Sequence, residues 1–250
     1  MQILRYEYKN DVNWGWVHEN LVGKIDGNIF GDFRRQAVDI PIEKVKVLAP
    51  VVPSKIICIG RNYASHAAEH QVDVPEIPLL FLKPPSSLIG NMDQIILPPQ
   101  SNQVEHEAEL AVVIGKRGRW IEPDQVDQYV FGYSIGNDVT ARDLQRLDGQ
   151  WTRGKGFDTF CPIGPVIETD FDDSDALITC KVNQQVRQMG STRDMVFPVD
   201  QLIAFVSSIM TLEVGDVLLT GTPAGVGVLN SGDLIEIEIE GIGILKNYVK

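Results

Sequence analysis

At 250 residues, with 44% hydrophobic and 22% charged side chains, the chain has the balance of a soluble globular protein, which excludes intrinsic disorder, collagen and coiled coil. Its 22 Lys and Arg against 34 Asp and Glu give a formal charge of −12, which repels a phosphate backbone and excludes nucleic acid as an expected partner. No run approaches the ~18 apolar residues of a membrane span, and the first residues do not form a basic-then-apolar leader.

Cys58, Cys161 and Cys180 are odd in number, widely spaced and without a CxxC pair, so neither a disulfide framework nor a zinc knuckle is expected. The expected location is a reducing cytoplasm. A chain of this length buries roughly 70–75% of the surface its unfolded form exposes, enough to hold polar groups inside a core.

In chain order, short β-branched stretches between 22 glycines and 14 prolines predict a β-rich α+β protein of many short strands. Residues 1–50 read as strands and turns ending at Ala49-Pro50, a small N-terminal domain before a catalytic body over 51–250. Strands are predicted at Lys44–Leu48, Lys55–Ile59, Glu109–Ile114, Val217–Leu219 and Leu234–Ile239, the last with isoleucines on one face and carboxylates on the other. Two helices are predicted. Tyr63–His70 makes two turns, and Val199–Met210, entered after Pro198, puts Leu202, Phe205, Val206, Ile209 and Met210 on one stripe. The acidic Asp170–Asp175 segment reads as a solvated loop.

Several residues along this chain can carry chemistry. His66 and Glu69, three apart, share a helix face and can form a base with its orienting carboxylate, or simply decorate a surface helix. In His106-Glu107-Ala108-Glu109-Leu110, strand alternation sends Glu107 and Glu109 to one face, and the apolar run Ala111–Ile114 carries that face inward. Two adjacent buried carboxylates need a proton, basic neighbours or a divalent cation; a solvated pair on an edge strand is the bland alternative. Asp138 lies in Asn137-Asp138 and either faces inward or caps a turn. Lys155, between Gly154 and Gly156, matches no phosphate-binding loop and can equally be a surface lysine. The Gly221–Gly227 loop offers backbone N–H groups that can receive a carboxylate. His18 and His70 have no comparable setting.

Six blocks in order resemble the fumarylacetoacetate hydrolase superfamily: GRNYASHAAE at 60–69, FLKPPSSLIG at 81–90, VEHEAELAVVIG at 104–115, GYSIGNDVTARDLQ at 132–145, QWTRGKGFDTFCPIGP at 150–165 and LLTGTPAGVG at 218–227. The resemblance spans roughly residues 54–250, and residues 1–50 look like the small N-terminal domain of its longer bacterial members. It implies a mixed β-sandwich roll and a homodimer. It also implies Mg²⁺ or Mn²⁺, with Ca²⁺ possible, on Glu107, Glu109 and Asp138. By the same match Lys155 stabilises developing negative charge, Arg142, Gln145 and Thr222 contact the substrate, and His66 with Glu69 activates water on a mobile lid.

An oxygen-only carboxylate site suits a hard cation and leaves positions for a small 2-keto or β-diketo acid. The leading expectation is a metal-dependent hydrolase that cleaves a C–C bond in acylpyruvate-type β-diketo acids in aromatic catabolism. The alternative is an isomerase or tautomerase acting on 2-hydroxyhepta-2,4-diene-1,7-dioate or oxaloacetate, with decarboxylation as a further outcome. A binding module without turnover is the rival of another class, disfavoured because every matched residue is present.

Overall fold

The computed structural model describes residues 1–69 and 71–250. Among these, the strands gather into sheets of 12, five and three. At the centre of the largest lies Ala108–Ile114, buried along its whole length. It pairs antiparallel with Val130–Asn137 on one side and Val217–Leu219 on the other. Val217–Leu219 continues in parallel to Ile56–Gly60, also wholly buried, which agrees with the uninterrupted apolar character of both stretches.

The five-stranded sheet carries the predicted Leu234–Ile239 strand between Leu177–Val182 and Gly243–Val249. Ile235, Ile237 and Ile239 are buried while Glu238 is exposed, so the alternation places its faces as read. Those isoleucines share one apolar cluster with Leu110, Val112 and Ile135 of the large sheet, which makes the body a β-sandwich.

Some boundaries and faces differ from the reading. The predicted Lys44–Leu48 strand starts at Lys46, because Ile42–Lys44 forms a 3₁₀ turn after Pro41. The early helix covers Ala64–Glu69; Tyr63 instead bridges Met195, and His70 lies outside the described residues. In the helix Val199–Ile209 the buried face is Val199, Leu202, Ile203, Val206 and Ser207, whereas Ile209 at its last residue is half exposed. The stripe is rotated toward Ile203 and Ser207, with Met210 still packed against the core, and Ser207 earns its place by a polar contact: its hydroxyl accepts from the Ile121 amide at 2.9 Å.

Residues 1–50 join the large sheet. Gln2–Tyr8 pairs antiparallel with Cys161–Glu168, and the strands Asp11–His18, Leu21–Gly27 and Phe33–Pro41 extend from it in order. Cys58, Cys161 and Cys180 are free and buried, and no described helix is long and apolar enough to cross a membrane.

Candidate active site

The strand bearing the paired glutamates is interrupted at Glu107. Residues Val104–His106 pair with Thr140–Ala141 and Gly227–Val228 in the three-stranded sheet, whereas Ala108–Ile114 belongs to the large one. The partner strand breaks at the matching place, after Asn137. Across this double break the Asp138 N–H donates to the Glu107 carbonyl at 2.9 Å, and Asn137 Oδ1 accepts from the Glu107 N–H at 3.0 Å. Two strands leaving one sheet for another therefore turn both carboxylates inward. Glu107, Glu109 and Asp138 each offer an oxygen within 4.8 Å of the others, and all three are buried.

Such a cluster needs compensating charge. Lys155 Nζ donates to Glu107 Oε2 at 2.8 Å and to Asp138 Oδ2 at 2.6 Å; it is 2% exposed, which ends the surface-lysine alternative. Its short helix Thr152–Lys155 lies so close to Arg142–Asp148 that a side chain on Gly154 would come within 2.9 Å of the Gln145 backbone. Lys83, given no role in the sequence reading, donates to Asp138 Oδ1 at 2.5 Å and to the Val139 carbonyl at 3.0 Å. Its signal in the sequence is a charge closing the apolar strand Leu79–Lys83. Arg142 binds Glu107 with one arm, Glu105 Oε2 at 2.7 Å through Nε, and Gln145 Oε1 at 2.6 Å. Glu105 is likewise a buried residue that the sequence reading passed over.

These contacts separate the carboxyls. Burial works against ionising Glu107, but Lys155 and Arg142 outweigh it and hold its carboxyl well below the usual range. Glu109 is pushed the other way by burial and by the charges of Asp138 and Glu107, with the Gly221 N–H at 2.7 Å as partial relief. Burial of Lys155 is likewise overcome by Asp138 and Glu107, so its ammonium stays charged. The Gly221–Gly227 loop thus receives carboxylates belonging to the chain itself: Gly221 takes Glu109, and the Gly225 N–H lies 3.2 Å from both oxygens of Glu69.

Glu69 in turn meets buried His66, Nδ1 to Oε2 at 3.4 Å. A cavity of about 410 Å³ is lined by His66, Glu107, Glu109, Arg142, Gln145, Lys155 and Thr222. Asp138 and Glu69 stand behind that wall, holding Lys155 and His66. The Thr222 hydroxyl donates to the Ala108 carbonyl at 2.8 Å and accepts from Gln188 Nε2 at 2.7 Å, so it braces the glutamate strand as well as lining the cavity. Arg61, Phe81, Arg146 and Trp151 complete the lining's chemistry and were not singled out from the sequence.

The profile described as "Fumarylacetoacetate (FAA) hydrolase C-terminal" matches residues 55–250. The chain belongs to the fumarylacetoacetate hydrolase family. Residues 1–50 match a second profile, "Rv2993c-like, N-terminal". Within the family, the mitochondrial oxaloacetate tautomerase of Rattus norvegicus is 47% identical over 222 residues, 84% of this chain and 71% of that protein. The crystal structure of 2-hydroxyhepta-2,4-diene-1,7-dioate isomerase from Mycobacterium marinum superposes with a TM-score of 0.93 at 39% identity, covering 100% of this chain and 98% of that one. Fumarylacetoacetate hydrolase from Exiguobacterium antarcticum gives 0.88 at 39%, covering 100% and 99%. Family members of this similarity therefore carry isomerase, tautomerase and hydrolase names on one β-sandwich fold.

Proposed function

We propose that the protein is a divalent-metal-dependent tautomerase or isomerase of 2-keto acids, with C–C hydrolysis of acylpyruvates as the second reading. The observation that carries it is one cavity lined by Glu107, Glu109, a buried ammonium and a carboxylate-oriented imidazole, with Asp138 completing a close carboxylate trio just behind the wall. The trio is oxygen-only and at close range, a donor set that fits a hard ion, so Glu107, Glu109 and Asp138 are the ligands for Mg²⁺ or Mn²⁺. When bound, such an ion supplies Lewis-acid polarisation of a keto oxygen.

Keto–enol interconversion moves one proton off an oxygen and one onto the neighbouring carbon, with nothing consumed. His66, held at Nδ1 by Glu69, carries that proton. Lys155 stabilises the negative charge that develops on the substrate while the proton is in transit. With Gln145 Oε1 taken by Arg142, its amide nitrogen is the group offered to a substrate carboxylate. The same imidazole suits activation of water, which keeps hydrolysis as the second reading. The tautomerase and isomerase relatives put proton transfer first, reversing the order expected from the sequence. Homodimer formation belongs to the same family reading, and sedimentation equilibrium checks it.

Two assays with Mg²⁺ decide between the reactions. Enol absorbance follows oxaloacetate tautomerisation, and product analysis follows acetylpyruvate plus water giving acetate and pyruvate. Tautomerisation is expected to be the faster, to vanish on chelation, and to fall by roughly 10²–10⁴ in His66→Ala. Rapid acetylpyruvate cleavage with the oxaloacetate enol relaxing at its uncatalysed rate hands the protein to hydrolysis.

A further inference from the structure

The cavity wall carries four strong cations, and their charges are not equally spent. Arg142 is matched by Glu105 and Glu107, and Lys155 by Glu107 and Asp138. Arg61 and Arg146 line the same space, yet no described carboxylate lies within ion-pair distance of either. Asp148 is taken by Arg153, and Asp143 by Ser101 and the Asn102 amide. In a chain of net charge −12, two unmatched guanidiniums beside one cavity are positive potential reserved for a ligand.

Arg61 is the more constrained of the two. Its backbone sits in the left-handed region at φ 60°, a conformation that costs a non-glycine residue free energy and persists only where the surroundings impose it. Its neighbours impose it. Asn62, fully buried, donates to the Phe197 and Thr220 carbonyls at 2.9 and 2.8 Å and accepts from the Phe197 N–H at 2.8 Å. On the other side, a Cβ on Gly60 would lie 2.7 Å from the Trp151 ring, so the indole rests directly on the backbone there.

That indole ties Arg61 to the chemistry. The Arg61 guanidinium carbon and Lys155 Nζ each lie 6.0 Å from the Trp151 ring centroid. One rigid aromatic therefore spaces an unmatched guanidinium from the ammonium that contacts the carboxylate trio. Arg146 is exposed and already leans on Gln103 Oε1 at 3.4 Å.

We infer that Arg61 is the specificity residue of this cavity and binds the second, distal carboxylate of a dicarboxylic 2-keto acid. The inference rests on the 2-keto acid reading above and adds which end of the substrate is read, and by which residue. A charge-assisted guanidinium–carboxylate contact corresponds to roughly 10–100-fold in affinity.

Calorimetric titration of Mn²⁺-supplemented protein with 2-ketoglutarate and with its 5-methyl ester tests this without requiring turnover, because the two probes differ in distal charge. Wild type is expected to bind the diacid roughly 10–100-fold more tightly. Arg61→Gln should bring the two probes within about 3-fold by weakening the diacid alone, and Arg61→Lys should restore part of the preference. Arg61→Gly, at ease at this φ, serves as the second charge-removing variant and should behave as Gln does. A wild type that binds both probes alike or neither, or a Gln variant that keeps the preference, overturns the assignment. Diacid preference in a protein that never interconverts oxaloacetate tautomers upholds Arg61 and sinks the tautomerase reading instead.

Discussion

Lys155 and Glu109 occupy the same cluster and respond oppositely to removal of their charge. Lys155 is a buried cation on two carboxylates, so Lys155→Met leaves Glu107 and Asp138 undercompensated; breaking such a pair costs roughly 3–5 kcal/mol, or about 10 °C in Tm for a chain of this size. Added Mg²⁺ or Mn²⁺ replaces part of the lost positive charge, so the metal-induced rise in Tm is expected to be larger in this variant than in wild type. Turnover with metal present should fall by roughly 10²–10³. Glu109, by contrast, is pushed up by burial and by Asp138 and Glu107, so its ionised form is resisted without metal. Glu109→Gln should therefore melt at or above wild type without metal, and should lose most of the metal-induced rise because a ligand is gone. Differential scanning calorimetry of both variants with and without metal checks the pair; equal metal responses in all three proteins would return the trio to a purely structural network. The convergence of Glu107 and Glu109 was legible in the sequence because period-two alternation leaves a carboxylate pair little choice. The cations Lys83 and Lys155 were not legible in the same way, since a lysine beside a glycine or closing a strand looks the same whether it ends in water or in a core.

At the level of elements, the readable features were the ones with an unbroken period. Ala108–Ile114, Val217–Leu219 and Leu234–Ile239 appear where the apolar pattern put them. What the pattern could not show is the paired interruption at Glu107 and Asp138, because the residues on both sides remain buried when a strand passes from one sheet to another. The glycine loop was legible as a carboxylate receiver, but not that its carboxylates are Glu109 and Glu69. Gly225 gives that loop a sharp test. Its φ is 100°, and a Cβ there would come 2.1 Å from the Arg187 carbonyl oxygen, a contact backbone cannot yield cheaply. Gly225→Ala should cost on the order of 1–3 kcal/mol from strain and overpacking. It should also displace the N–H that holds Glu69, so activity should fall by more than the loss of folded protein explains. Wild-type kcat in the folded fraction of this variant would separate the loop from the His66–Glu69 pair.

At the scale of the whole molecule, residues 1–50 extend the large sheet of the catalytic body. Gln2–Tyr8 closes the ladder on Cys161–Glu168, with Gln2 opposite Glu168 and Ile3 opposite Ile167, and the N-terminal ammonium pairs with Glu168. Leu4, Tyr6 and Val22 belong to the same apolar cluster as Leu110, Ile135 and Val166, and Ile3 is fully buried. Fully burying one such side chain contributes roughly 1.5–3 kcal/mol, so removing several approaches the 5–15 kcal/mol that typically separates folded from unfolded states. Cutting the chain after Pro50 would also uncover an unpaired strand edge at Ile167 and Glu168, a template for association between copies. A protein consisting of residues 51–250 is thus expected to lose its cooperative thermal transition or to melt more than 10 °C below the full chain, and to aggregate as it does so. Calorimetry together with light scattering checks both parts. If the shortened protein melts with the full chain and stays dispersed, the N-terminal strands are a separate unit that only rests on the sheet, and the sequence division at residue 50 marks a true folding boundary.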